Sequence, residues 1–229
     1  MRTADRIVIG WVDPGHVDGR FAADIARLYA ERRDRIAGIA RVEGGVVARQ
    51  RNELVATFLN TDATWLLMLD SDEHIDVAAF DKLVDAAHDR DRPIVAGVYF
   101  GAYPAQPGKL YPHPVPLIYQ IGDDGWFAPI ERYPADTVIQ IAAAGGGCLL
   151  MHRTALEQLR ERAPEDAGDR WCWFSDGPQS GRWLSEDLTF SLRLAEASIP
   201  MHAHTGVQLG HRKRYWLTEA HHLEEMRTP

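Results

Sequence analysis

The chain has 229 residues, of which 45% are hydrophobic, and its formal net charge at pH 7 is −8. This length suits one large α/β domain, so we expect a single domain over residues 1–229. The charge disfavours loose binding along nucleic acid or at an anionic membrane, and two cysteines are too few for a disulfide framework or a cysteine zinc site. The sequence shows neither an apolar run of membrane-spanning length nor the apolar core of a secretory signal, so we expect a soluble, cytoplasmic protein without a membrane span.

The first hundred residues alternate between short apolar runs and amphipathic helical patterns. Strands are predicted at residues 6–12, 35–40, 64–70 and 93–100, and helices at residues 18–33, 46–60 and 77–90. Such an alternation is typical of crossover units, so we predict a doubly wound, mostly parallel sheet with helices on both faces. In sheets of this kind ligands bind beyond the carboxyl ends of the strands.

The pattern changes after Phe100. An extended loop is predicted where this half begins, since that stretch carries Pro104, Pro107, Pro112, Pro114 and Pro116. Strands added in mixed orientation are predicted at residues 117–121, 137–152 and 200–209, and helices at residues 153–163 and 185–197. Residues 164–183 are rich in Trp, Gly and Asp and are predicted to be irregular.

Two acids stand at the end of the predicted strand 64–70. Asp70 and Asp72 are two residues apart, so an extended backbone through Ser71 would present both carboxylates on one side. Mg²⁺ and Mn²⁺ often take one or two protein carboxylates, with phosphate oxygens completing the shell. The alternative is that one of these acids caps the helix that begins near Val77.

Two other phosphate or metal motifs are excluded at this position. A calcium-binding EF-hand loop starting at Asp70 needs glycine at its sixth position and glutamate at its twelfth, where the chain has Ile75 and Asp81. The chain also differs from haloacid-dehalogenase-like phosphatases, which place Thr or Val at the position that His74 occupies.

A second group of acids opens the predicted helix 185–197. Ser185 is a suitable N-cap, with Glu186 and Asp187 in the first turn. Acids in a first turn favour the helix dipole without any chemistry. Beside a loop rich in Trp and Gly, however, either carboxylate is also placed to deprotonate a hydroxyl group.

Two further patterns carry candidate ligand-binding groups. His211 suits Mn²⁺, and the neighbouring bases Arg212 and Lys213 could neutralise a diphosphate. The alternative is a structural histidine followed by a solvated basic face. The glycines at positions 145–147 fit neither a phosphate-binding loop nor a dinucleotide fingerprint. They indicate either a backbone pressed close to a ligand or a flexible bend between strands.

In this order the pieces resemble a GT-A-type, family-two-like glycosyltransferase of the compact single-domain kind seen in bacteria and bacteriophages. The resemblance rests on the strand-helix repeat, "ARQRNELV", "LLMLDSD", "AGGGCLLMHRTAL", "SED" opening a helix, and "LGH". It runs from Arg6 to about His211. It implies a GT-A-like α/β fold with a nucleotide-binding half at about residues 1–100 and an acceptor and catalytic half at about residues 101–217.

The resemblance also implies a role for each matching residue. Asp70, Asp72 and His211 would hold Mn²⁺ or Mg²⁺, and Asp187 would be the catalytic base of an inverting enzyme, with Glu186 beside it. The residues expected near the nucleotide are Val12, Asp13, Pro14, Gly15, Arg49, Asn52 and Ser71. The residues expected near the donor sugar or the acceptor are Gly145, Gly146, Gly147, Trp171, Trp173, Trp183, Arg212 and Lys213.

The implied reaction moves a sugar from a nucleotide-diphosphate sugar, with a UDP-sugar favoured, to an acceptor hydroxyl group. The acceptor stays open between a hydroxymethylated base in bacteriophage DNA, stacked on Trp171, Trp173, Phe174 and Trp183, and a glycan, protein or small molecule. A DNA acceptor would require a basic groove built from Arg49, Arg51, Arg212 and Arg214. A nucleotidyltransferase of related fold and a non-catalytic nucleotide-sugar or glycan-binding module are the alternatives.

Overall fold

A seven-stranded sheet forms the centre of the protein, for which a computed structural model describes residues 6–103, 112–163, 172–179, 181–214 and 219. The helices are α1 (Gly19–Glu31), α2 (Val47–Leu59), α3 (Val77–Ala86), α4 (Arg153–Glu161) and α5 (Glu186–Glu196). The strands are β1 (Ile7–Asp13), β2 (Ile36–Glu43), β3 (Trp65–Asp70), β4 (Glu73–His74), β5 (Ile94–Val98), β6 (Phe100–Tyr103), β7 (His113–Pro116), β8 (Ile118–Ile121), β9 (Phe127–Pro129), β10 (Val138–Ile141), β11 (Ala143–Ala144), β12 (Cys148–His152), β13 (Gly177–Gln179), β14 (Arg182–Leu184), β15 (Met201–Gln208) and β16 (Gly210–His211).

The central sheet has the strand order β10-β15-β5-β12-β3-β1-β2. Strands β2, β1, β3, β5 and β15 run in one direction, while β12 and β10 oppose their neighbours. This confirms the predicted mostly parallel sheet with mixed additions. Because β12 lies between β3 and β5, the first hundred residues and the later residues share one sheet.

Helices cover both faces of the sheet, as the alternating pattern predicted. On β3, Leu66 and Met68 pack into the core beneath α2, α4 and α5, whereas Trp65, Leu67 and Leu69 pack into the core beneath α1 and α3. Each fully buried apolar side chain of this size contributes about 1.5–3 kcal/mol. The longest helices, α1 and α2, have 13 residues, and none in the described part of the chain has the length and apolar character needed to cross a membrane.

The register of the strands places the carboxyl ends of β1 and β3 side by side. Val12 pairs with Asp70 across the two parallel strands. The short strand β4 then pairs antiparallel with β16, which sets Glu73 opposite His211. The C-terminal part of the described chain is thereby hydrogen-bonded to the segment that follows Asp70, although the two are far apart in sequence.

Some elements differ from the prediction. The predicted strand 137–152 is divided into three strands: a bend at Ala142 separates β10 from β11, and a turn at the glycines 145–147 separates β11 from β12. Strand β11 joins β8 and β9 in a separate three-stranded sheet. The predicted helix 77–90 ends at Ala86, and residues 113–116 of the proline-rich segment form an edge strand. The described residues between 172 and 184 include the β13–β14 hairpin, which the Gly and Pro content of the segment concealed.

Candidate active site

A polar pocket lies where β1 and β3 end, next to the N-terminus of α2. Its volume is about 550 Å³, within the range of small-molecule and cofactor sites. The residues around it are Val12, Asp13, Pro14, His16, Val17, Asp18, Gly45, Val47, Gln50, Asp70, Ser71, Asp72, Arg212, Lys213 and Arg214. Of the predicted nucleotide contacts, Val12, Asp13, Pro14 and Ser71 lie in this wall, whereas Gly15, Arg49 and Asn52 are not among its residues.

Asp72, in the wall of this pocket, faces His211, and both residues border a second, neighbouring pocket. The Nε2 atom of His211 lies 3.4 Å from Oδ2 of Asp72, and the backbone N–H of Arg212 donates to the Asp72 carbonyl at 2.9 Å. The Nδ1 atom of His211 lies 2.8 Å from the carbonyl oxygen of Phe100. A carbonyl only accepts, so Nδ1 carries a proton and Nε2 is the nitrogen turned towards the carboxylate. Metal-binding histidines are oriented by this kind of second contact.

The charge state of Asp72 also suits a cation ligand. Burial opposes its ionisation, but the hydrogen bond and charge of His211 and the charge of Lys213 outweigh burial and lower its pKa. Its side chain is 44% exposed, so the ionised carboxylate faces the pocket. The described residues contain no group of three or more His, Cys, Asp or Glu placed to hold a metal. When Nε2 of His211 is unprotonated, Asp72 and His211 nevertheless fit Mn²⁺ or Mg²⁺, which take few protein ligands when a diphosphate supplies the rest. The cation would then replace the Nε2 proton beside the Asp72 carboxylate.

Asp70 has a different partner from Asp72. Nη2 of Arg51 donates to Oδ1 of Asp70 at 3.0 Å and to Oδ2 at 3.2 Å. The Asp70 backbone N–H donates to the carbonyl of Gly147 at 3.0 Å. The two carboxylates therefore border the same pocket, with Asp70 held by a guanidinium and Asp72 beside an imidazole.

The alternative that Asp70 or Asp72 caps α3 is wrong. The N-cap of α3 is Asp76, whose Oδ1 accepts from the backbone N–H of Ala79 at 2.7 Å. That contact already satisfies one of the unpaired donors of the first turn. Asp70 and Asp72 therefore do not cap α3.

Asp187 and Glu186 open α5 beside this network. Asp187 accepts from the backbone N–H of Gly146 at 3.2 Å, from its neighbour Leu188 at 2.8 Å, and from the hydroxyl of Ser185. These donors orient the carboxylate and leave Ser185 at the N-cap without a side-chain bond to the helix backbone. Burial raises the pKa of Glu186, and the charge of Arg51, whose Nη1 lies 3.3 Å from Oε1 of Glu186, opposes that rise.

The three glycines at 145–147 touch protein side chains. A β-carbon would lie 2.1 Å from Oη of Tyr99 at position 145, 1.1 Å from Nη1 of Arg51 at position 146, and 2.0 Å from Oε1 of Glu73 at position 147. The close approach predicted for this backbone is thus made to the buried side chains behind the pocket, and the turn is not a loose bend. A contact with the donor or the acceptor stays a prediction.

Asp13 is the last residue of β1, and its side chain hydrogen-bonds to the loop that follows. It is only 2% exposed. Arg41 donates to it from Nε at 2.7 Å and from Nη2 at 3.0 Å, and the backbone N–H of Gly15 donates at 2.8 Å. The hydrogen bonds from Arg41 are the main reason that the pKa of Asp13 is lowered, and burial opposes them. Gly15 has a φ of 103°, which favours glycine there. Asp13 therefore shapes the pocket rim with a carboxylate that protein donors already engage.

Asn52 is held by the protein backbone as well. Its Nδ2 donates to the carbonyl of Phe174 at 2.7 Å, and its Oδ1 accepts from the N–H of the same residue at 3.0 Å. This pairing ties α2 to the segment that precedes β13. The amide expected near the nucleotide thus has a structural role.

The aromatic residues predicted to stack on an acceptor separate into two groups. Trp173 is 4% exposed and donates from Nε1 to the Leu156 carbonyl at 2.8 Å, and Phe174 is 1% exposed and stacked on Phe190. Both rings belong to the core, so the prediction that they stack on a base is wrong. Trp183 is 70% exposed, and Trp171 lies outside the described residues.

The arginines required for a DNA groove are not assembled in the described part of the chain. Arg51 is 3% exposed and ion-paired, so it presents no charge to a ligand backbone. Arg212 forms an ion pair with Asp18, the N-cap of α1. Arg49 and Arg214 are exposed. Two of the four predicted bases are thus committed to protein carboxylates.

Sequence reasoning missed three side chains in the buried layer behind the pocket. Arg51 was predicted to face a ligand, either the nucleotide as part of the stretch Arg49 to Asn52 or DNA in a basic groove. It lies three residues before Leu54 on the buried face of α2, a position that signals a paired charge. Glu73 is 2% exposed, and burial raises its pKa well above the usual value. Burial likewise raises the pKa of Tyr99, whose Oη accepts from the Gly147 N–H at 3.0 Å. No local pattern marked these last two residues.

Comparison with known proteins supplies the fold relationship. No protein-family model matches the chain, and no curated protein matches it significantly. Among solved structures, A197 from STIV superposes with a TM-score of 0.54 at 18% identity, covering 91% of this chain and 86% of that one. GalNAc-T7 with UDP, GalNAc and Mn²⁺ superposes with a TM-score of 0.52 at 10% identity, covering 92% of this chain and 44% of that one. The chain has a GT-A-like fold. At these identities the likeness establishes the fold alone, and the chain spans less than half of GalNAc-T7.

Proposed function

We propose that the protein is a metal-dependent glycosyltransferase that moves a sugar from a nucleotide-diphosphate sugar to an acceptor hydroxyl group. The observation that carries this proposal is the pair Asp72 and His211, which face each other beside Lys213. Asp72 and Lys213 belong to the wall of the pocket at the ends of β1 and β3. The likeness to GalNAc-T7, which was solved with UDP, GalNAc and Mn²⁺, supports a UDP-sugar as donor.

The donor is proposed to enter with its nucleoside along the β1 end of the pocket and its diphosphate near Asp72. Val12, Pro14 and Ser71 line the nucleoside side. Asp72 and His211 would hold Mn²⁺ or Mg²⁺, which when bound neutralises charge on the departing diphosphate. The Lys213 ammonium lies 3.9 Å from Oδ2 of Asp72, close enough to add positive charge at the same place.

Asp187 is proposed as the general base. It takes the proton of the acceptor hydroxyl group while the hydroxyl oxygen forms a bond to the anomeric carbon of the donor sugar. The bond between that carbon and the diphosphate oxygen breaks, and its electron pair leaves with the nucleoside diphosphate. Attack from the face opposite the leaving group inverts the anomeric centre. The donors from Gly146, Ser185 and Leu188 keep the Asp187 carboxylate in one orientation for this transfer.

The proposed acceptor is a glycan, another glycosylated compound, or a small molecule with a hydroxyl group. Trp183 lies four residues before Asp187 in the chain and is 70% exposed, so its ring is accessible for stacking on a sugar. A DNA acceptor lacks support, because Arg51 and Arg212 are committed to carboxylates and the net charge is −8.

The test is the thermal stability of the wild-type protein with UDP, GDP and CMP, each with and without Mn²⁺. If UDP raises the melting temperature with Mn²⁺ but not without it, the result would support the metal-diphosphate site and the donor class. Release of free sugar from a UDP-sugar panel then separates an enzyme from a binding module. A protein that no nucleotide stabilises with Mn²⁺ would contradict the proposal.

A further inference from the structure

We propose that Arg51 is a positioning residue that couples the donor site to the catalytic base, by holding Asp70 and Glu186 on one buried guanidinium. The inference rests on the proposed function and deepens it. Asp70 belongs to the wall of the donor pocket, and Glu186 is adjacent to Asp187 at the start of α5. Arg51 comes from α2 and meets both carboxylates between these elements.

The contacts of Arg51 are with acids on two separate elements. Nη2 donates to both oxygens of Asp70, at 3.0 Å and 3.2 Å, and Nη1 lies 3.3 Å from Oε1 of Glu186. The arginine is 3% exposed. Burial opposes its charge, but the nearby acids outweigh burial and keep its pKa above the usual value. A guanidinium that is charged and removed from water attracts both carboxylates more strongly than an exposed one.

Among the described residues, only Nη2 of the three guanidinium nitrogens forms hydrogen bonds, so the position of the other two depends on charge. The Nε and Nη1 atoms are buried and have no hydrogen-bond partner among the described residues. A buried group left in this state is costly, so the attraction of the two carboxylates must compensate. Without the guanidinium, Asp70 and Glu186 would repel each other across the same small volume.

Gly146 links this pair of contacts to the catalytic base. A β-carbon at position 146 would lie 1.1 Å from Nη1 of Arg51, so only glycine leaves room for the guanidinium. The N–H of the same glycine donates to Oδ2 of Asp187 at 3.2 Å. A shift of Arg51 therefore moves Asp70 on the donor side and the Gly146 contact of Asp187 on the acceptor side together.

The first experiment compares Arg51→Lys and Arg51→Gln with the control Arg153→Lys. Arg153 is also mostly buried, but it donates to backbone carbonyls of Phe58, Leu59, Thr61 and Ala63, none of which borders the pocket. The readouts are the Kd for UDP with Mn²⁺ and the kcat and KM of UDP-sugar hydrolysis. We expect kcat to fall by about 10-fold to 100-fold in Arg51→Gln and less in Arg51→Lys, because small misplacements of reacting groups are this costly.

The control separates positioning from general destabilisation. Arg153→Lys is expected to lower the melting temperature, while Kd and kcat stay within about twofold of wild type. The reason is that the hydrogen-bond partners of Arg153 do not border the pocket. Folded Arg51→Lys and Arg51→Gln proteins with unchanged kcat and Kd would overturn the proposal.

A second experiment needs no ligand and therefore tests the bridge even if the protein binds no nucleotide. The unfolding free energy is measured for Asp70→Asn, Glu186→Gln and the double variant. If Arg51 holds both carboxylates, the two losses are not additive, because the second substitution acts on a guanidinium that has already lost one partner. Additive losses in the otherwise wild-type protein would overturn the bridge. A failed nucleotide screen with non-additive losses would instead reject the proposed function and keep the bridge.

A size test addresses the Gly146 contact. Gly146→Ala is expected to destabilise the wild-type protein strongly and the Arg51→Lys protein less, because lysine lacks the Nη1 atom that the new methyl group meets. The control is Gly38→Ala, where a β-carbon has no neighbour within 4 Å. An equal cost of Gly146→Ala in both backgrounds would contradict the role of this contact.

Discussion

Nε2 of His211 and Oδ2 of Asp72 lie 3.4 Å apart. His211 is on β16 and Asp72 directly precedes β4, and these two strands are distant in sequence but hydrogen-bonded in the fold. The Phe100 carbonyl fixes the proton on Nδ1 of His211, which leaves Nε2 for the carboxylate side. Strand β16 is thus part of the candidate metal site. Removal of either residue should affect cation binding while the central sheet remains intact.

Asp72→Asn should abolish the stabilisation of the protein by UDP and Mn²⁺. At ligand concentrations about 100-fold above Kd, binding adds about 2.7 kcal/mol, which raises the melting temperature of a chain of this size by about 5–10 °C. The variant should lose this rise, since an amide oxygen is a poor substitute for a carboxylate on a hard cation. Asp62→Asn, at an exposed position before β3, is the control and should keep the full rise. An Asp72→Asn protein that keeps it too would contradict the metal site.

Asp187→Asn should remove sugar transfer and spare donor binding. Loss of a general base lowers kcat by about 10²-fold to 10⁴-fold. Since Asp187 is not among the residues of the donor pocket, the Kd for UDP with Mn²⁺ should change little. The measurement is UDP-sugar hydrolysis together with calorimetric binding. Glu186→Gln is the matched comparison and should retain more activity, and the opposite order would transfer the base role to Glu186.

Asp76→Ala should destabilise the protein without changing its affinity for nucleotides. The Asp76 carboxylate caps α3 through the N–H of Ala79. Loss of such a cap costs about 1 kcal/mol. Denaturant unfolding should show this decrease, and the UDP and Mn²⁺ response should equal that of wild type. A lost response would mean that this cap and the candidate metal site are not independent.

The contribution of Asp13 to stability should depend on pH in one direction. Its pKa is lowered in the folded protein, mainly by the hydrogen bonds from Arg41, and stands near 3.9 when unfolded. Above the unfolded pKa both states are ionised and the stabilisation is complete. As the pH falls through the folded pKa, the proton neutralises the carboxylate and the stabilisation is lost.

The comparison with Asp13→Asn makes this measurable. At pH 7 the variant should be less stable by about 1.5–3 kcal/mol, the range for hydrogen bonds to charged groups. The difference between wild type and variant should stay constant above about pH 5 and narrow below about pH 4. A difference that widens on acidification would contradict the assigned direction of the pKa shift.

Truncation of Trp173 and truncation of Trp183 should affect different properties, stability in the first case and acceptor binding in the second. Trp173→Ala removes a buried ring and should cost about 3–5 kcal/mol of unfolding free energy. Trp183→Ala alters an exposed side chain and should change stability by less than about 0.5 kcal/mol. If Trp183 stacks on the acceptor sugar, its variant should raise the acceptor KM and leave donor hydrolysis unchanged. Equal KM values would remove Trp183 from the acceptor site.

The sequence by itself determined the elements that depend on local pattern. The continuous apolar run of β3, the helical spacing of Phe21, Ile25 and Leu28, and the alternation of strands and helices are properties of short stretches, so they predicted a mostly parallel sheet covered on both faces. The position of Asp70 at a strand end followed from the same reasoning.

Only the tertiary structure decided which side chains meet. Arg51 on α2, Asp70 on β3 and Glu186 on α5 come together because three elements pack around one buried charge, and no local stretch encodes that encounter. Tertiary packing likewise placed Trp173 in the core and left Trp183 exposed, although both belong to one Trp-rich segment. A local pattern reports what a residue prefers, whereas the partner of a buried charge or ring depends on contacts between distant parts of the chain.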